Sequence, residues 1–148
     1  MRLIAAALCL TFAATSAHAD ALVTIESKFG VKETLDRLTA TLGERGIKPA
    51  ARIDHSAGAK SVGMELPPTE VLMFGNPKLG TPLMHSNPAI GIDLPMKVLA
   101  WQDKAGKVWI GYVAPDVLKK RYAISDRDEA FKAMSAALQG LTKAASGM

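Results

Sequence analysis

Apolar positions near the start of the chain change from strand-like to helical spacing. Residues 22–26 (Leu-Val-Thr-Ile-Glu) are rich in β-branched side chains, which predicts a strand. Four apolar residues then recur every three or four positions, which is typical of one face of a helix: Val31, Leu35, Leu38 and Leu42. We therefore predict a helix over about 31–45, and Gly46 supplies a suitable stop.

Extended segments separated by glycine and proline dominate the middle of the chain. Residues 47–54 favour a strand, and the proline within them favours an edge position. Residues 71–74 (Val-Leu-Met-Phe) are continuously apolar between turn signals, which predicts a central strand. A loop follows at 75–81. We expect Thr81 to cap a short helix that has Pro82 in its first position.

The last third of the chain predicts a hairpin followed by two helices. Residues 97–102 and 107–113 favour strands, joined by the turn 103–106. A short helix is expected over 115–122, and an amphipathic helix over about 126–143, opened by a Ser-x-x-Asp capping box. Hairpins dominate this order, so we predict the α+β class, with a largely antiparallel sheet and helices packed on one face.

The first nineteen residues have the three parts of a bacterial secretory signal peptide. Arg2 is followed by a short apolar stretch and by the small-x-small site at 17–19, before Asp20. We expect cleavage after Ala19 and a periplasmic or secreted domain over 20–148. The alternative is a buried N-terminal helix. Cleavage also removes Cys9, the one cysteine in the sequence, so the exported chain has neither disulfide nor thiolate.

Composition narrows the classes of partner. Of the 148 residues, 49% are hydrophobic and 22% are charged, which excludes intrinsic disorder and a coiled coil. No apolar run reaches the roughly 18–20 residues of a membrane span, so stable membrane insertion is not expected. The net charge is +4, but the lysines are scattered and aromatic residues make up 5%, so we expect no nucleic-acid binding.

Several motifs resemble a bacterial family known as domain of unknown function 302. They are Arg-Ile-Asp-His at 52–55, Val-Gly at 62–63, Phe-Gly-Asn-Pro-Lys-x-Gly-Thr-Pro-Leu-Met at 74–84 and Asp-Leu-Pro-x-Lys at 93–97. The resemblance covers about 23–122. It implies an α+β domain of the TATA-box-binding-protein-like arrangement, often a homodimer. It implies no established activity. The segment 48–51 departs from the family pattern, which has larger apolar residues there.

The loop at 75–81 is the first candidate site. Gly75, Asn76 and Gly80 tolerate unusual backbone angles, Lys78 adds a positive charge, and Thr81 stands before the expected helix. Such loops can point several N–H groups at one anion, as helix N-termini also do. The loop has no lysine directly before the threonine, which excludes a nucleotide-binding P-loop. The alternative is a rigid turn that only directs the chain.

His55 is the second candidate, as a general base, an anion partner or a metal ligand. It follows Asp54 at an expected strand end. Because adjacent strand residues point to opposite faces, Asp54 need not orient it. The alternative is a structural histidine bonded to backbone. If His55 and the loop converge, they form a small polar pocket with Asn76, Lys78 and Thr81.

Other chemistry has less support in the sequence. A copper or haem site would need clustered ligands, but His85 and four methionines (Met64, Met73, Met84 and Met96) form no Met-x-x-Met or His-x-His pattern. There is no Gly-x-Ser-x-Gly nucleophile elbow for a serine hydrolase. We therefore assign no metal, no cofactor and no catalytic residue.

Three hypotheses of function remain. The leading one is a non-catalytic exported domain, a homodimer, that binds a small anionic or polar ligand or a partner protein. The second is a small enzyme in which His55 is the acid–base group and the Gly75–Thr81 loop holds an anionic substrate. The third is a purely structural or assembly role, which predicts no pocket at the loop.

Overall fold

The computed structural model describes residues 22–148, so the predicted leader at 1–19 lies outside the described residues. The elements are β1 (Leu22–Ser27), α1 (Val31–Glu44), β2 (Pro49–Asp54), α2 (His55–Ser61), β3 (Thr69–Phe74), α3 (Pro77–Ser86), a 3₁₀ helix (Pro88–Ile92), β4 (Met96–Gln102), β5 (Val108–Val113), α4 (Pro115–Arg121) and α5 (Asp128–Ser146).

The strands form one antiparallel sheet in the order β1-β5-β4-β3-β2. The predicted α+β class and the antiparallel sheet are confirmed. The predicted hairpin is β4–β5, in which Trp101 lies directly opposite Trp109. The strand that contains Pro49 is an edge strand, where a residue without an N–H is tolerated.

Helices α1 and α5 pack against each other and cover the same face of the sheet, as predicted. The core lies between these helices and the sheet, and it includes fully buried residues of each layer: Leu35, Leu38, Val98, Ile110 and Leu141. Alternation along the strands sends every second side chain into this core. The large apolar residues of α1 occupy the stripe that the helical spacing predicted.

The opposite face of the sheet, which we call the open face, is not covered by either of the two long helices, α1 and α5. Neither α1 nor α5 reaches it, since both pack on the core side. Leu99, Trp101 and Trp109 lie there, half-exposed, because their neighbours along each strand point into the core. The domain therefore has two layers, the sheet and the pair of long helices, and the second face of the sheet is left uncovered by those helices.

One predicted helix start and one predicted cap are wrong. α3 begins at Pro77 and not at Pro82, because Asn76 caps it: the N–H of Lys78 donates to Asn76 Oδ1 at 2.9 Å. Pro82 lies inside the helix. The N-cap of α5 is Arg127, with no side-chain cap hydrogen bond, so the predicted capping box from Ser125 does not form.

Candidate ligand pocket

An open pocket of about 370 Å³ lies where the end of β3 meets α3 and α5. Phe74 and Gly75 line it at the strand end, and so do Ile47 and Lys48, which precede β2, and Ala50 within β2. The antiparallel register explains why these two segments meet, since Pro49 pairs with Phe74. The pocket therefore sits at one end of the β2–β3 pair.

Helix α5 supplies the far wall. Met134, Ala137, Leu138 and Leu141 line the pocket, at the spacing of three to four residues that places side chains on one face of a helix. Met134, Leu138 and Leu141 are also buried in the core. One stripe of α5 thus closes the core and forms the pocket wall.

A third wall comes from the segment before β4, where Leu94, Pro95 and Met96 line the pocket. The Leu94–Pro95 peptide bond is cis. Gly75 approaches this segment closely: a Cβ on Gly75 would lie 3.2 Å from Cβ of Pro95. The glycine thus lets the strand end and the proline come together.

Asp93 anchors this wall to α4. Its Oδ2 accepts hydrogen bonds from the Tyr122 hydroxyl at 2.6 Å and from Arg121 Nη1 at 2.8 Å. Burial pushes the pKa of Asp93 upward, but the hydrogen bonds from Tyr122 and Arg121 outweigh it, so the pKa is lowered overall. Asp93 is thus a paired anion that ties the loop to the end of α4.

The walls are almost entirely apolar. Among the described residues that line the pocket, Lys48 is the only ionisable one, and Asn76 is the only other polar side chain. Three lining residues are methionines, whose flexible thioethers adapt to ligands of different shapes: Met84, Met96 and Met134. Such a surface suits an apolar ligand body better than a fully polar one.

The structure brings only part of the predicted loop to the pocket. Gly75, Asn76 and Gly80 line it, whereas Lys78 and Thr81 are exposed and are not among its lining residues. The main-chain oxygen of Asn76 accepts from the N–H groups of Leu79 and Gly80 at 2.9 and 3.0 Å. The N–H of Lys78 donates to the side chain of Asn76. All three N–H groups are therefore already bonded within the protein and are not free to bind an anion as predicted.

The predicted convergence of His55 with the loop is wrong. His55 follows Asp54, which pairs with Glu70 at the start of β3, whereas Gly75 follows the other end of that strand. Five strand steps of about 3.3 Å place the two ends roughly 17 Å apart. His55 is the exposed first residue of α2, and Asp54 caps that helix by accepting from the N–H of Ala57.

Arg52, the first residue of the Arg-Ile-Asp-His motif, holds neighbouring elements together through ion pairs and a hydrogen bond. Arg52 is paired with Asp36 of α1 and with Glu70 of β3, and it also donates to the main-chain oxygen of Lys32. Hydrogen bonds from Lys32 and Arg52 hold the pKa of Asp36 below its usual value. This network fastens the edge strand β2 to α1.

Sequence reasoning missed the α5 wall and the wall before β4. The sequence does predict the apolar stripe of α5. Its spacing, however, does not distinguish residues that are buried in the core from residues that line a pocket, and nothing in the sequence marks Ala137 as a lining residue. The Asp-Leu-Pro-x-Lys motif at 93–97 did mark the third wall. It was assigned no role because its spatial proximity to Gly75 depends on the tertiary fold.

Residues 23–141 match the family described as "Domain of unknown function DUF302". The protein belongs to the DUF302 family. The predicted resemblance is thus confirmed, and the match extends past residue 122 into α5. Because α5 forms both core and pocket wall, the family domain includes the pocket as a whole.

This DUF302 chain is also similar to proteins with a channel name. It is 45% identical over 127 residues to "Fluoride-specific ion channel FluC 1" of Brucella suis biovar 1 (strain 1330), covering 85% of this chain and 50% of that protein. The identity is again 45% over 127 residues with "Fluoride-specific ion channel FluC 2" of Brucella melitensis biotype 1, covering 47% of that protein. The chain thus spans about half the length of these relatives.

A solved DUF302 structure has the same fold. The crystal structure of the uncharacterized conserved protein DUF302 from Bacillus stearothermophilus aligns with a TM-score of 0.69 over 87% of this chain and 98% of that one. The sequence identity is 23%, so this likeness concerns the fold alone.

The described part of the chain has neither a membrane-spanning helix nor a cluster of metal-binding side chains. None of the helices within residues 22–148 is both long and apolar enough to span a bilayer. The same residues contain no group of three or more His, Cys, Asp or Glu side chains placed to hold a metal ion.

Proposed function

We propose that this DUF302 chain is an exported, non-enzymatic binding domain whose pocket takes a small amphiphile. The ligand has an apolar body of about a dozen heavy atoms and a negatively charged head. The size follows from cavities of about 150 Å³ that hold benzene, scaled to about 370 Å³ of open pocket. The single observation that carries the proposal is the apolar lining of this pocket.

The apolar walls account for the body of the ligand. Removal of apolar surface from water contributes roughly 25 cal/mol per Å² on either partner. The pocket is open, so a ligand can enter without unfolding of the walls. The methionines adapt to the ligand, while the buried residues of α5 keep the far wall in place.

Lys48 accounts for the charged head. It is exposed, lies directly before β2 and borders the pocket, so its ammonium group can stay in water while it faces the ligand head. An exposed ion pair of this kind is worth at most about 1 kcal/mol. The head therefore contributes selectivity, and the apolar body contributes most of the affinity.

The two alternatives from the sequence have less support. An enzyme that uses His55 on a substrate held by the Gly75 loop requires the two to meet, and they lie at opposite ends of β2–β3. A purely structural role predicts no pocket at the loop, yet Gly75, Asn76 and Gly80 border one.

Decanoate, which has twelve heavy atoms, is a suitable probe, and decan-1-ol is its uncharged counterpart. At roughly 0.5 kcal/mol per heavy atom, we expect a binding free energy of about 6 kcal/mol for decanoate. This corresponds to a Kd of tens of micromolar, which calorimetry can measure. Lys48→Gln should weaken decanoate binding up to about five-fold and leave decan-1-ol binding unchanged.

Ala137→Phe tests the location of the site. The new phenyl ring needs a space of about 150 Å³, as benzene does, which is roughly two-fifths of the pocket volume. We expect it to abolish binding of both probes. The matched control is Ala136→Phe, one residue earlier on α5 and exposed. Equal affinity of the two variants for decanoate, or no binding by the unaltered chain, refutes the proposal.

A second candidate function is favoured by the channel relatives. This chain corresponds to about half of those proteins, at 45% identity. A channel needs membrane-spanning segments, and helices of that kind are lacking within residues 22–148. We therefore propose that this chain acts as a separate accessory domain for a fluoride channel, corresponding to the part of the relatives that does not form the pore.

Co-expression tests this second function. The unmatched half of the Brucella suis relative is produced alone in a fluoride-sensitive host, with or without this chain. We expect the two to co-purify from detergent and fluoride efflux to rise when the chain is present. Unchanged efflux together with no co-purification rejects the accessory role and leaves the pocket proposal untouched.

A further inference from the structure

The methionines within residues 22–148 differ in how much of each side chain meets solvent. Three of them are exposed: Met64, Met84 and Met148. Met96 and Met134 are buried, and Met73 is half-buried. Peroxides and hypohalous acids oxidise a methionine thioether to the polar sulfoxide, and accessible sulfurs react first. Exposure therefore selects three candidate oxidation sites in this part of the chain.

Met84 is the member of this exposed group that lines the pocket, whereas Met64 and Met148 are not among the lining residues. Met84 is 37% exposed. Its Sδ lies 3.5 Å from the position that a Cβ on Gly91 would take, and Gly91 is itself a lining residue. The sulfur, and not only the stem of the side chain, therefore lies against the pocket wall. Met84 thus combines access from solvent with contact to the ligand space.

Two packed segments hold the sulfur in this position. Met84 follows the fully buried Leu83 in α3, and Gly91 follows the fully buried Ile90 in the 3₁₀ helix. These two short helices pack against each other. The N–H of Asn87, which lies between them, donates to the main-chain oxygen of Leu83 at 3.0 Å. Because both segments are anchored in the core, an oxygen added to the sulfur changes the lining of the pocket and leaves the helices in place.

We propose that Met84 is an oxidation site that lowers the affinity of the pocket for its apolar ligand. This role rests on the ligand pocket proposed above and adds a way to regulate it. With hydrogen peroxide, the sulfur lone pair forms a bond to one peroxide oxygen as the O–O bond breaks. The departing hydroxide takes the hydrogen of the transferred oxygen and leaves as water. The thioether is thus oxidised by two electrons, and the peroxide is reduced by two.

The product changes the polarity of the pocket lining. Within residues 22–148, Lys48 and Asn76 are the only polar side chains that line the pocket, so a sulfoxide oxygen adds a strong acceptor to an apolar wall. An alkyl chain that covers this oxygen removes it from water and offers no hydrogen bond in return. We expect decanoate to bind about five- to ten-fold more weakly, near the lower end of such penalties because Met84 stays partly solvated.

The two buried methionines of the pocket keep this effect separate from unfolding. Met96 and Met134 belong to the hydrophobic core, where a sulfoxide would disturb the packing. Their burial slows their oxidation, so mild treatment reaches Met84 first. The affinity for the ligand should therefore fall while the fold is intact.

Peroxide treatment followed by peptide mass spectrometry and calorimetry tests the site. The purified chain is treated with hydrogen peroxide until Met84 is fully oxidised, and the decanoate Kd is measured before and after. Met96 and Met134 should remain largely reduced, and the circular dichroism spectrum should not change. Methionine sulfoxide reductases A and B with dithiothreitol should restore the original Kd, because they return the sulfoxide to the thioether.

Two variants separate Met84 from the other exposed methionines. Met84→Leu has an apolar side chain that peroxide does not oxidise, so its decanoate Kd should be the same before and after treatment. The matched control is Met64→Leu, at an exposed position after α2 that does not line the pocket. It should lose affinity on treatment as the unaltered chain does. Each variant is compared with its own untreated sample, which removes any effect of leucine on the starting affinity.

The outcomes distinguish the oxidation site from the pocket itself. An untreated chain that does not bind decanoate rejects the ligand pocket, and the regulatory role of Met84 with it. If the untreated chain binds decanoate but full oxidation of Met84 leaves the Kd unchanged, only the role of Met84 is overturned. The same conclusion follows if Met84→Leu loses affinity on treatment as the unaltered chain does, or if Met96 is oxidised before Met84.

Discussion

Gly111 allows two strands and a tryptophan to pack more closely than any other residue would permit. It is a buried residue in the middle of β5. A Cβ added there would lie 2.9 Å from the main-chain oxygen of Val23, 3.2 Å from Cγ2 of Thr24 and 3.3 Å from Cζ3 of Trp101. The first contact is with backbone, so β1 must move to relieve it.

The expected cost of Gly111→Ala follows from these contacts. Overpacking costs about 1–3 kcal/mol. Lower entropy of the unfolded chain returns roughly 0.5–1 kcal/mol. We expect a net loss of about 1–2 kcal/mol in the free energy of unfolding, or about 4–8 °C in Tm for a domain of this size.

Urea unfolding measures this loss, with the combined emission of Trp101 and Trp109 as the signal. The matched control is Gly140→Ala in the middle of α5, where the nearest atom to the new Cβ is Arg45 Nη2 at 3.8 Å. The control should gain about 0.5–1 kcal/mol, because glycine is unfavourable in a helix. If Gly111→Ala is as stable as the unaltered chain, the close approach of β1 to β5 is not as described.

Three further predictions concern the cap, the anchor and the leader. Asn76→Ala removes the cap of α3 and should cost about 1 kcal/mol in urea unfolding, together with weaker decanoate binding. Asp93→Asn should lower the stability at neutral pH. Because the pKa of Asp93 is lowered in the folded state, its contribution is present above the unfolded pKa near 3.9. It is lost as the pH falls through the folded value, so unfolding curves of variant and unaltered chain should converge in acid, and a constant difference contradicts this. N-terminal sequencing of the exported protein should start at Asp20, and a start at Met1 contradicts a cleaved leader.

The strands and the two long helices were predictable because local patterns define them. The stripe of α1 and the apolar runs of β3, β4 and β5 each carry a signal within a few residues. The antiparallel class followed from the hairpin turns. The start of α3 was missed because the sequence offers two similar signals, Asn76-Pro77 and Thr81-Pro82, each a capping residue before a proline. Only the observed hydrogen bond to Asn76 Oδ1 decides between them.

The candidate site was predicted in part. The glycines and prolines of the loop at 75–81 indicate a special backbone, and three residues of this loop border the pocket. The predicted polarity was wrong, because apolar side chains from α5 and from the segment before β4 line the pocket, and α5 lies more than fifty residues further along the chain. The predicted convergence of His55 with the loop was wrong because it depends on the register of β2 and β3, and sequence periodicity does not fix that register.

The pocket lies at one end of the β2–β3 pair, so the opposite end, near His55, is available for engineering. Gly63, in the turn after α2, has a left-handed backbone, and a Cβ placed there would have no atom within 4 Å. It follows α2 on the His55 side, so the length of one strand separates that end of the pair from the pocket. An affinity tag or a dye inserted there would report on the domain while the ligand route stays clear.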